Sequence, residues 1–296
     1  MTPRGIYAAA LTPFARDLQI DTERLIRHCR DVLVRGCDGV SLFGTTGEAN
    51  SLAVAERTAA LERVVDAGIA PQRLMPGTGC CALPDTIALT HHALALGVTA
   101  VLVLPPFYYK NPSDEGLFDA YAHIIETVAD DRLRMYLYHI PQFSGVPLSI
   151  ALVERLRAAY PRTVVGIKDS SGDFANAQAL CALGDFGVFI GAERLIVKTL
   201  DLGGAGTICA LANIVPETLA DLYARRSAPE AAALQARVCA QLDVLDRFGF
   251  IGALKALLAA RDAAQDWQTV RPPLRALASA QHAALHAAFD GLALTT

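Results

Sequence analysis

Lysine is scarce in this sequence. Its 296 residues include four lysines against 22 arginines, and neither residue type forms a basic run. The formal net charge of −4 is small, so the composition indicates neither a nucleic-acid partner nor a membrane-surface partner. Because about half of the residues are hydrophobic, the chain can bury a large core. Small-molecule chemistry is the function class that this composition favours.

Long apolar runs and paired cysteines are also missing. No apolar run reaches the roughly 18 residues that a membrane helix needs, and Pro13 and Arg16 interrupt the stretch where a signal peptide would be apolar. We therefore expect a soluble, cytoplasmic protein. The seven cysteines are odd in number and include no C-x-x-C pair. They favour reduced, buried thiols over a disulfide framework or a zinc site.

The chain does contain a regular alternation of short strand-like runs and helical patterns. The eight predicted strands cover residues 6–11, 39–43, 74–77, 100–104, 133–138, 164–168, 188–191 and 206–210. Such alternation predicts a parallel sheet, because each parallel crossover needs a helix. Eight units within about 210 residues favour a closed (β/α)8 TIM barrel over an open doubly wound sheet, which usually has fewer strands.

Helices alone are predicted after the last strand. Helical patterns between the strands cover residues 21–35, 52–67, 84–96, 115–129 and 148–159. Those after the last strand cover residues 216–225, 230–248, 252–262 and 273–289. The sequence therefore predicts a catalytic (β/α)8 barrel over residues 1–225 and a C-terminal helical extension over residues 226–296.

One of the four lysines ends a predicted strand, within the stretch TVVGIKDSSGD at residues 163–173. Barrel enzymes carry their active sites at the carboxyl ends of the strands. Strand alternation places Lys168 on the same face as Gly166 and Val164. If that face is the barrel interior, a partly dry surrounding favours the neutral amine, which can attack a ketone to form a Schiff base. If it is not, Lys168 is an ordinary lysine that reaches water, and the strand context leaves both alternatives open.

The strand before it ends in a tyrosine. Tyr138 lies 30 residues before Lys168, which is one strand–helix repeat, so the two side chains would come from adjacent strands at one end of the barrel. A phenol beside an amine can transfer the protons that Schiff-base formation requires. Packing is the commoner role for a tyrosine at a strand end, and it remains the alternative here.

A third strand end is followed by the loop GTTGE at residues 44–48. Its glycines can expose backbone amides, and Thr45 and Thr46 add hydroxyl groups, a combination that suits a carboxylate or another small anion. The spacing of Thr45 and Glu48 is also that of a helix capping box. The loop therefore predicts either an anion site or a helix start.

Seven motifs follow one another along the chain. They are TPF at 12–14, GTTGE at 44–48, PFYYKNP at 106–112, YHIP at 138–141, GIKD at 166–169, GTICALAN at 206–213 and RPPL at 271–274. In this order they resemble the dihydrodipicolinate synthase and N-acetylneuraminate lyase family of pyruvate-dependent class I aldolases. The resemblance spans most of the chain and implies a (β/α)8 barrel.

The resemblance also implies catalytic roles. Lys168 matches the Schiff-base lysine, Tyr138 the adjacent general acid/base, and Thr45 the hydroxyl of a proton relay. Tyr109 matches the tyrosine that completes the relay from a neighbouring subunit, which implies at least a dimer and commonly a homotetramer. No metal or organic cofactor is implied, because the covalent Schiff base through Lys168 acts as the electron sink.

Further positions are implied to bind the substrate, pyruvate or another 2-keto acid. Thr46, with Gly47 beside it, matches the group that holds the pyruvate carboxylate, and Ile208 matches an apolar residue that packs on the keto acid. Phe143 and Glu193 are expected to shape specificity through their positions after strand ends. No nucleic acid and no membrane is expected as a partner.

One departure from the family pattern concerns the second substrate. Family members that make dihydrodipicolinate usually carry an arginine where this chain has Phe143, and a phenyl ring cannot replace a bidentate cation. The Ser144-Gly145 pair resembles sialic acid lyases and sugar-acid aldolases, and residues 206–213 resemble 4-hydroxy-2-oxoglutarate aldolases. The resemblance therefore favours an aldolase for a 2-keto-3-deoxy sugar acid or 4-hydroxy-2-oxoglutarate. The alternatives are an authentic dihydrodipicolinate synthase of lysine biosynthesis and a non-catalytic keto-acid-binding member.

Overall fold

A computed structural model, which describes residues 3–292, shows seven parallel strands in a nearly closed barrel. The strands are β1 (Gly5–Ala9), β2 (Gly39–Ser41), β3 (Ala100–Val103), β4 (Arg134–His139), β5 (Val164–Asp169), β6 (Gly187–Ile190) and β7 (Gly206–Cys209). They pair in the order β2-β1-β7-β6-β5-β4-β3. The predicted (β/α)8 barrel is confirmed as the fold class.

The third predicted strand, at residues 74–77, closes the ring without forming a regular strand. Met75 donates a main-chain hydrogen bond to Val40 of β2, and Leu102 of β3 donates one to Pro76, each at 2.9 Å. The segment thus lies between β2 and β3, where a barrel requires a strand. Because Pro76 has no N–H, it cannot donate to a ladder, and the pairing consists of isolated bridges.

Helices follow the strands and cover the outside of the barrel. They are α1 (Thr22–Val34), α2 (Val54–Asp66), α3 (Leu83–Ala95), α4 (Asp114–Val128), α5 (Pro141–Ser144), α6 (Ile150–Ala159), α7 (Phe174–Cys181), α8 (Ile196–Asp201) and α9 (Pro216–Ala224). The sequence did not predict α5, α7 and α8. These helices have only 4, 8 and 6 residues, which is too short for a helical period to show clearly.

Three more helices follow the barrel: α10 (Ala231–Arg247), α11 (Phe250–Arg261) and α12 (Ser279–Gly291). Helix α10 packs against α8 and α9. The helix predicted from residue 273 begins only at Ser279. The segment before it is held to α2 by Arg271, whose side chain bonds to Glu56, and its backbone at Arg275 and Leu277 lies against Gly252 of α11. The boundary between residues 225 and 226 stays a prediction, and residues 293–296 of the predicted extension lie outside the described residues.

The barrel interior is filled with aromatic and aliphatic side chains. Tyr136 and Tyr7 both pack edge-on against Phe189, with ring centroids 5.7 Å and 5.5 Å away. Gly166 makes room for this cluster, since a Cβ there would lie 2.3 Å from the Tyr136 ring. A second apolar cluster lies between the strands and the surrounding helices.

The predicted alternation of side chains along β5 is wrong at the start of the strand. Pairing with β4 skips Val165, because Val164 and Gly166 pair with successive residues of β4. Such a bulge reverses the facing of the residues before it. Val164 therefore packs in the outer cluster, whereas Lys168 lines the barrel's interior space, so these two residues do not share a face as the sequence predicted.

The cysteines are unpaired, and their exposure varies. Cys29, Cys37 and Cys209 are buried as expected, whereas Cys81 is exposed. Among residues 3–292, no helix combines the length and the apolar character that spanning a bilayer requires.

Candidate active site

A pocket of about 830 Å³ opens at the carboxyl ends of the strands. Strand ends contribute Ala9 from β1, Tyr138 from β4, Lys168 from β5 and Ile208 from β7. The outer wall comes from the loops after β5 and β6, and from α10, α11 and residues 274–275. The pocket thus combines the functional end of the barrel with the C-terminal helices.

Lys168 lies deep in this pocket. Its side chain is largely buried, since the residue is 4% exposed, and its Nζ lies 4.4 Å from the centroid of the Tyr138 ring. Lys168 and Tyr138 are register partners on neighbouring strands, which explains their contact. The alternative of a lysine that reaches water is therefore wrong. None of the other three lysines lines the pocket.

Tyr138 and the loop at 44–48, here called the threonine loop, meet beside Lys168. The hydroxyls of Tyr138 and Thr45 are 3.3 Å apart, within hydrogen-bond distance. The capping-box interpretation of this loop is wrong. A short 3-10 helix, Ala49–Ser51, does follow the loop, but no side chain caps it, because the Thr45 and Glu48 side chains bond to Tyr138 and Lys255 instead. The loop instead places Thr45 and Thr46 in the lining of the pocket.

Two of the three predicted substrate-binding positions Thr46, Gly47 and Ile208 line the pocket, and Gly47 does not. Thr46 and Ile208 both line the pocket. Gly47 does not line it, because its carbonyl accepts a hydrogen bond from Thr12 Oγ1 at 2.7 Å and a Cβ there would lie 2.8 Å from the Ala10 carbonyl oxygen. Gly47 therefore holds the base of the loop against the first strand.

Tyr109 lies outside the pocket of its own chain. It is 80% exposed and packs edge-on against Tyr108, with the ring centroids 5.3 Å apart. The structure of one chain does not bring Tyr109 to Tyr138. A part in the proton relay would therefore require a second copy of the chain.

Glu193 places a buried carboxyl group in the pocket wall. Its Oε1 accepts main-chain hydrogen bonds from Ala210 at 3.0 Å and Leu211 at 3.3 Å. Burial raises the pKa of Glu193, while these hydrogen bonds and the charge of Lys168 act in the opposite direction. Glu193 is therefore a buried hydrogen-bond acceptor in the pocket wall, close enough to Lys168 for the lysine charge to affect its pKa.

Two residues that the sequence reasoning missed shape the space around the lysine. Gly191 follows β6, and a Cβ there would lie 2.8 Å from Lys168 Cε and 2.0 Å from Ser170 Oγ. The Ser170 carbonyl accepts a hydrogen bond from Gln142 Nε2 at 2.7 Å. A glycine that ends a strand was the available signal for Gly191.

The mouth of the pocket carries an aromatic ring and two arginines. Phe143, on α5, is 72% exposed and lines the pocket. Arg194 and Arg275 also line it, and the sequence analysis had singled out neither. Arg194 is paired with Asp243 at 2.7 Å and Asp246 at 3.0 Å.

A buried lysine beside a tyrosine, at the strand ends of a (β/α)8 barrel, is an arrangement that can support lysine-dependent lyase chemistry. The dihydrodipicolinate synthetase family model matches residues 2–291, and the chain belongs to this family. It is accordingly a lyase, an aldolase of the dihydrodipicolinate synthase type.

Individual relatives agree with the family assignment. An uncharacterized DapA-like lyase of Chloroflexus aurantiacus is 38% identical over 291 residues, which cover 97% of this chain and 96% of the relative. The structure of a dihydrodipicolinate synthase from Agrobacterium tumefaciens is 34% identical, with a TM-score of 0.91 over 97% of this chain and 99% of that one. YagE, a prophage protein of this family from E. coli K12 solved in complex with pyruvate, is 25% identical, with a TM-score of 0.91 over 99% and 100% of the two chains.

Proposed function

We propose that this enzyme forms a Schiff base between Lys168 and pyruvate, or the keto group of a larger 2-keto acid, and that it catalyses reversible aldol cleavage. The observation that carries the proposal is the placement of Lys168, 4% exposed and 4.4 Å from the Tyr138 ring, in a pocket at the strand ends. The pyruvate complex of the related E. coli protein supports a keto acid as the ligand.

The reaction follows from the residues in contact. The Lys168 amine adds to the keto carbon and water leaves, which gives an iminium group that accepts electrons. Tyr138 donates the proton with which that water leaves and becomes a phenolate. When the bond between C3 and C4 breaks, its electron pair enters the enamine, and the Tyr138 phenolate takes the proton of the C4 hydroxyl as an aldehyde forms. Reprotonation at C3 and addition of water then release pyruvate and the free lysine.

The neighbours of Lys168 support these steps. Tyr138 is hydrogen-bonded to Thr45, so a proton can pass between the two hydroxyls. Thr46 lines the pocket beside them, where its hydroxyl and the loop amides would hold the keto-acid carboxylate. The mechanism requires no metal or organic cofactor, since the iminium group is the electron sink.

The wall of the pocket favours a hydroxylated second substrate, of the 2-keto-3-deoxy sugar acid or 4-hydroxy-2-oxoglutarate type. Glu193 offers a carboxyl group that can accept hydrogen bonds from hydroxyls, and Phe143 offers a ring but no charge. A pocket of about 830 Å³ also leaves room well beyond pyruvate.

Dihydrodipicolinate synthase activity is the second candidate. It is favoured by the 34% identity to the Agrobacterium synthase and by Arg275 at the pocket mouth, where a cation could hold a second carboxylate in place of the missing arginine. A non-catalytic keto-acid-binding protein is less consistent with the site, because binding alone needs neither a buried lysine nor the Tyr138–Thr45 pair.

We also propose that the active form is an oligomer, commonly a homotetramer in this family. Tyr109 supports this, because it is 80% exposed and lies outside the pocket of its own chain. A neighbouring chain would bring such a tyrosine to a relay that one chain leaves open. Mixing inactive Tyr109→Phe and Lys168→Ala variants tests this, because only a shared site restores activity in mixed oligomers.

Borohydride trapping tests the Schiff base. Reduction in the presence of pyruvate should fix a three-carbon adduct on Lys168, located by peptide mass spectrometry, and Lys168→Ala should abolish it. Lys198→Arg is the matched control, because Lys198 lies outside the pocket and its Nζ is 5.4 Å from the Phe174 ring centroid. An adduct on Lys110, Lys198 or Lys255, or none at all, would refute the mechanism.

A substrate panel distinguishes the two candidate reactions. Cleavage of 2-keto-3-deoxygluconate, 4-hydroxy-2-oxoglutarate and N-acetylneuraminate should be compared with condensation of pyruvate and aspartate semialdehyde. We expect cleavage of a hydroxylated acid to be faster. Condensation at about 10⁴ M⁻¹s⁻¹ or more, without any cleavage, would replace the aldolase proposal by the synthase.

A further inference from the structure

A buried ion pair joins the threonine loop to the C-terminal helices. Glu48 Oε1 lies 2.5 Å from Lys255 Nζ, and both side chains are 0% exposed. Lys255 belongs to α11, 207 positions further along the chain. Removing two charges from water costs about as much as their attraction returns, so stability alone is a weak explanation for such a pair.

The pair is part of a fully bonded cluster. The other oxygen of Glu48, Oε2, accepts the main-chain N–H of Arg271 at 3.0 Å, and Lys255 Nζ donates to the Thr269 carbonyl at 2.7 Å. Lys255 Nζ also lies 4.5 Å from the centroid of the Phe14 ring. Burial lowers the pKa of Lys255 to about 8, and the contact with Glu48 opposes this shift. The cluster thus ties α11 and residues 269–271 to one side chain of the loop.

The backbone of the loop adopts a conformation that needs such support. Glu48 has a φ of 57°, in the left-handed region that residues other than glycine rarely occupy. Three sets of contacts hold the loop: Thr45 to Tyr138, Gly47 to Thr12, and Glu48 to Lys255 and the Arg271 N–H. Only the last of these sets comes from outside the barrel. Thr46, which lines the pocket, lies between the first anchor and the other two.

We propose that Glu48 and Lys255 are positioning residues, and that through them the C-terminal extension sets the affinity of the threonine loop for the keto-acid carboxylate. The inference rests on the proposed role of Thr46 in holding that carboxylate. In this proposal Glu48, the glutamate of the GTTGE motif, positions the loop and does not cap a helix. The C-terminal extension then contributes to substrate binding.

The double variant Glu48→Gln, Lys255→Met provides the test. It removes both charges, so neither is left buried without a partner, and we expect its Tm to stay within about 5 °C of the wild type. The pyruvate concentration for half-maximal borohydride trapping at Lys168 should rise about tenfold, because the loop loses its outer anchor. Glu48→Asp keeps both charges but shortens the side chain that fastens the loop, and it should raise this concentration about threefold, which provides a second measurement if the double variant is unstable.

The exposed pair between Arg63 and Glu23, 2.8 Å apart on α2 and α1, supplies the matched control. Its double variant Arg63→Met, Glu23→Gln should leave pyruvate trapping unchanged. Half-maximal pyruvate within about twofold of the wild type, in a folded Glu48→Gln, Lys255→Met protein, would overturn the inference.

Amide hydrogen exchange separates this inference from the proposed function. If wild-type protein is not trapped at all, the Schiff-base mechanism fails, whereas loop positioning can still be measured. The amides of residues 44–48 should exchange faster in the double variant than in the wild type. Equal exchange rates would show that the ion pair does not position the loop.

Discussion

Gly191 provides a sharp test of the site's geometry, because the space beside Lys168 depends on its missing side chain. Its φ is not in the left-handed region, so alanine is acceptable to the backbone and only space is at issue. A Cβ at this position would lie 2.8 Å from Lys168 Cε and 2.0 Å from Ser170 Oγ. The Ser170 hydroxyl can rotate away, but the lysine must move.

The size of the effect follows from these distances. Carbon atoms pack at about 3.5 Å or more, so Lys168 Cε must shift by about 0.7 Å. A displacement of about 1 Å at a reacting group can cost roughly 100-fold in rate, so we expect Gly191→Ala to lower kcat by about 10- to 100-fold. Overpacking should cost about 1 to 3 kcal/mol of stability, which is too little to unfold the protein.

The assay compares the rate of borohydride trapping with pyruvate and the turnover of the best substrate. Adding Ser170→Ala removes the closer clash but not the contact with Lys168, so the double variant should remain slow. Gly116→Ala is the control, because a Cβ there meets only Ser113 Oγ at an ordinary 3.5 Å. Normal trapping and turnover in Gly191→Ala would refute the placement of Lys168 on which the mechanism is built.

Three further predictions concern a proton donor, a specificity residue and a buried histidine. Tyr138→Phe should keep the fold and lower turnover by about 10²- to 10⁴-fold, with the exposed Tyr108→Phe as control; near-normal steady-state rates would remove Tyr138 from the relay. Phe143→Arg should improve apparent binding of aspartate semialdehyde by roughly 10- to 150-fold in condensation assays, and an unchanged KM would show that another group holds its carboxylate. Burial lowers the pKa of His28 from 6.5 to about 4, so its stabilising neutral state is present above pH 6.5 and lost as the pH falls to 4. The free energy of unfolding, measured with urea, should fall by about 3 kcal/mol over that window in the wild type. The loss should be smaller in His28→Leu and unchanged in the exposed His123→Gln. The same dependence of unfolding free energy on pH in all three proteins would contradict this prediction.

The order of strands and helices could be predicted because each element carries its own local pattern. Buried parallel strands are short apolar runs and the covering helices are amphipathic, so the alternation survives in the sequence. The failures arose where the pattern is too short or interrupted. Helix α5 has only four residues, and Pro76 divides the predicted strand at residues 74–77 into isolated bridges. The bulge at Val165 depends on pairing with β4, which no local pattern reports.

The residues proposed to act in catalysis could be predicted from sequence for a related reason. Lys168, Tyr138 and Thr45 each follow or end a strand, and a barrel brings all strand ends to one rim. Their contacts therefore follow from topology alone. Gly191 lies at the same rim, but it matters because a side chain there would collide with Lys168 Cε and Ser170 Oγ. A glycine in a sequence does not reveal which atoms surround it.

Specificity residues are harder to predict, because they come from parts of the chain with no topological rule. Arg275 and the α10–α11 connection reach the pocket only through packing of the C-terminal helices on the barrel. The pair of Glu48 and Lys255 spans 207 positions in the same way. In this protein the strand ends hold the proposed reacting groups, whereas the C-terminal helices complete the pocket around them. Replacing the C-terminal extension with that of a relative should therefore change keto-acid affinity and the choice of second substrate more than it changes the reaction at Lys168.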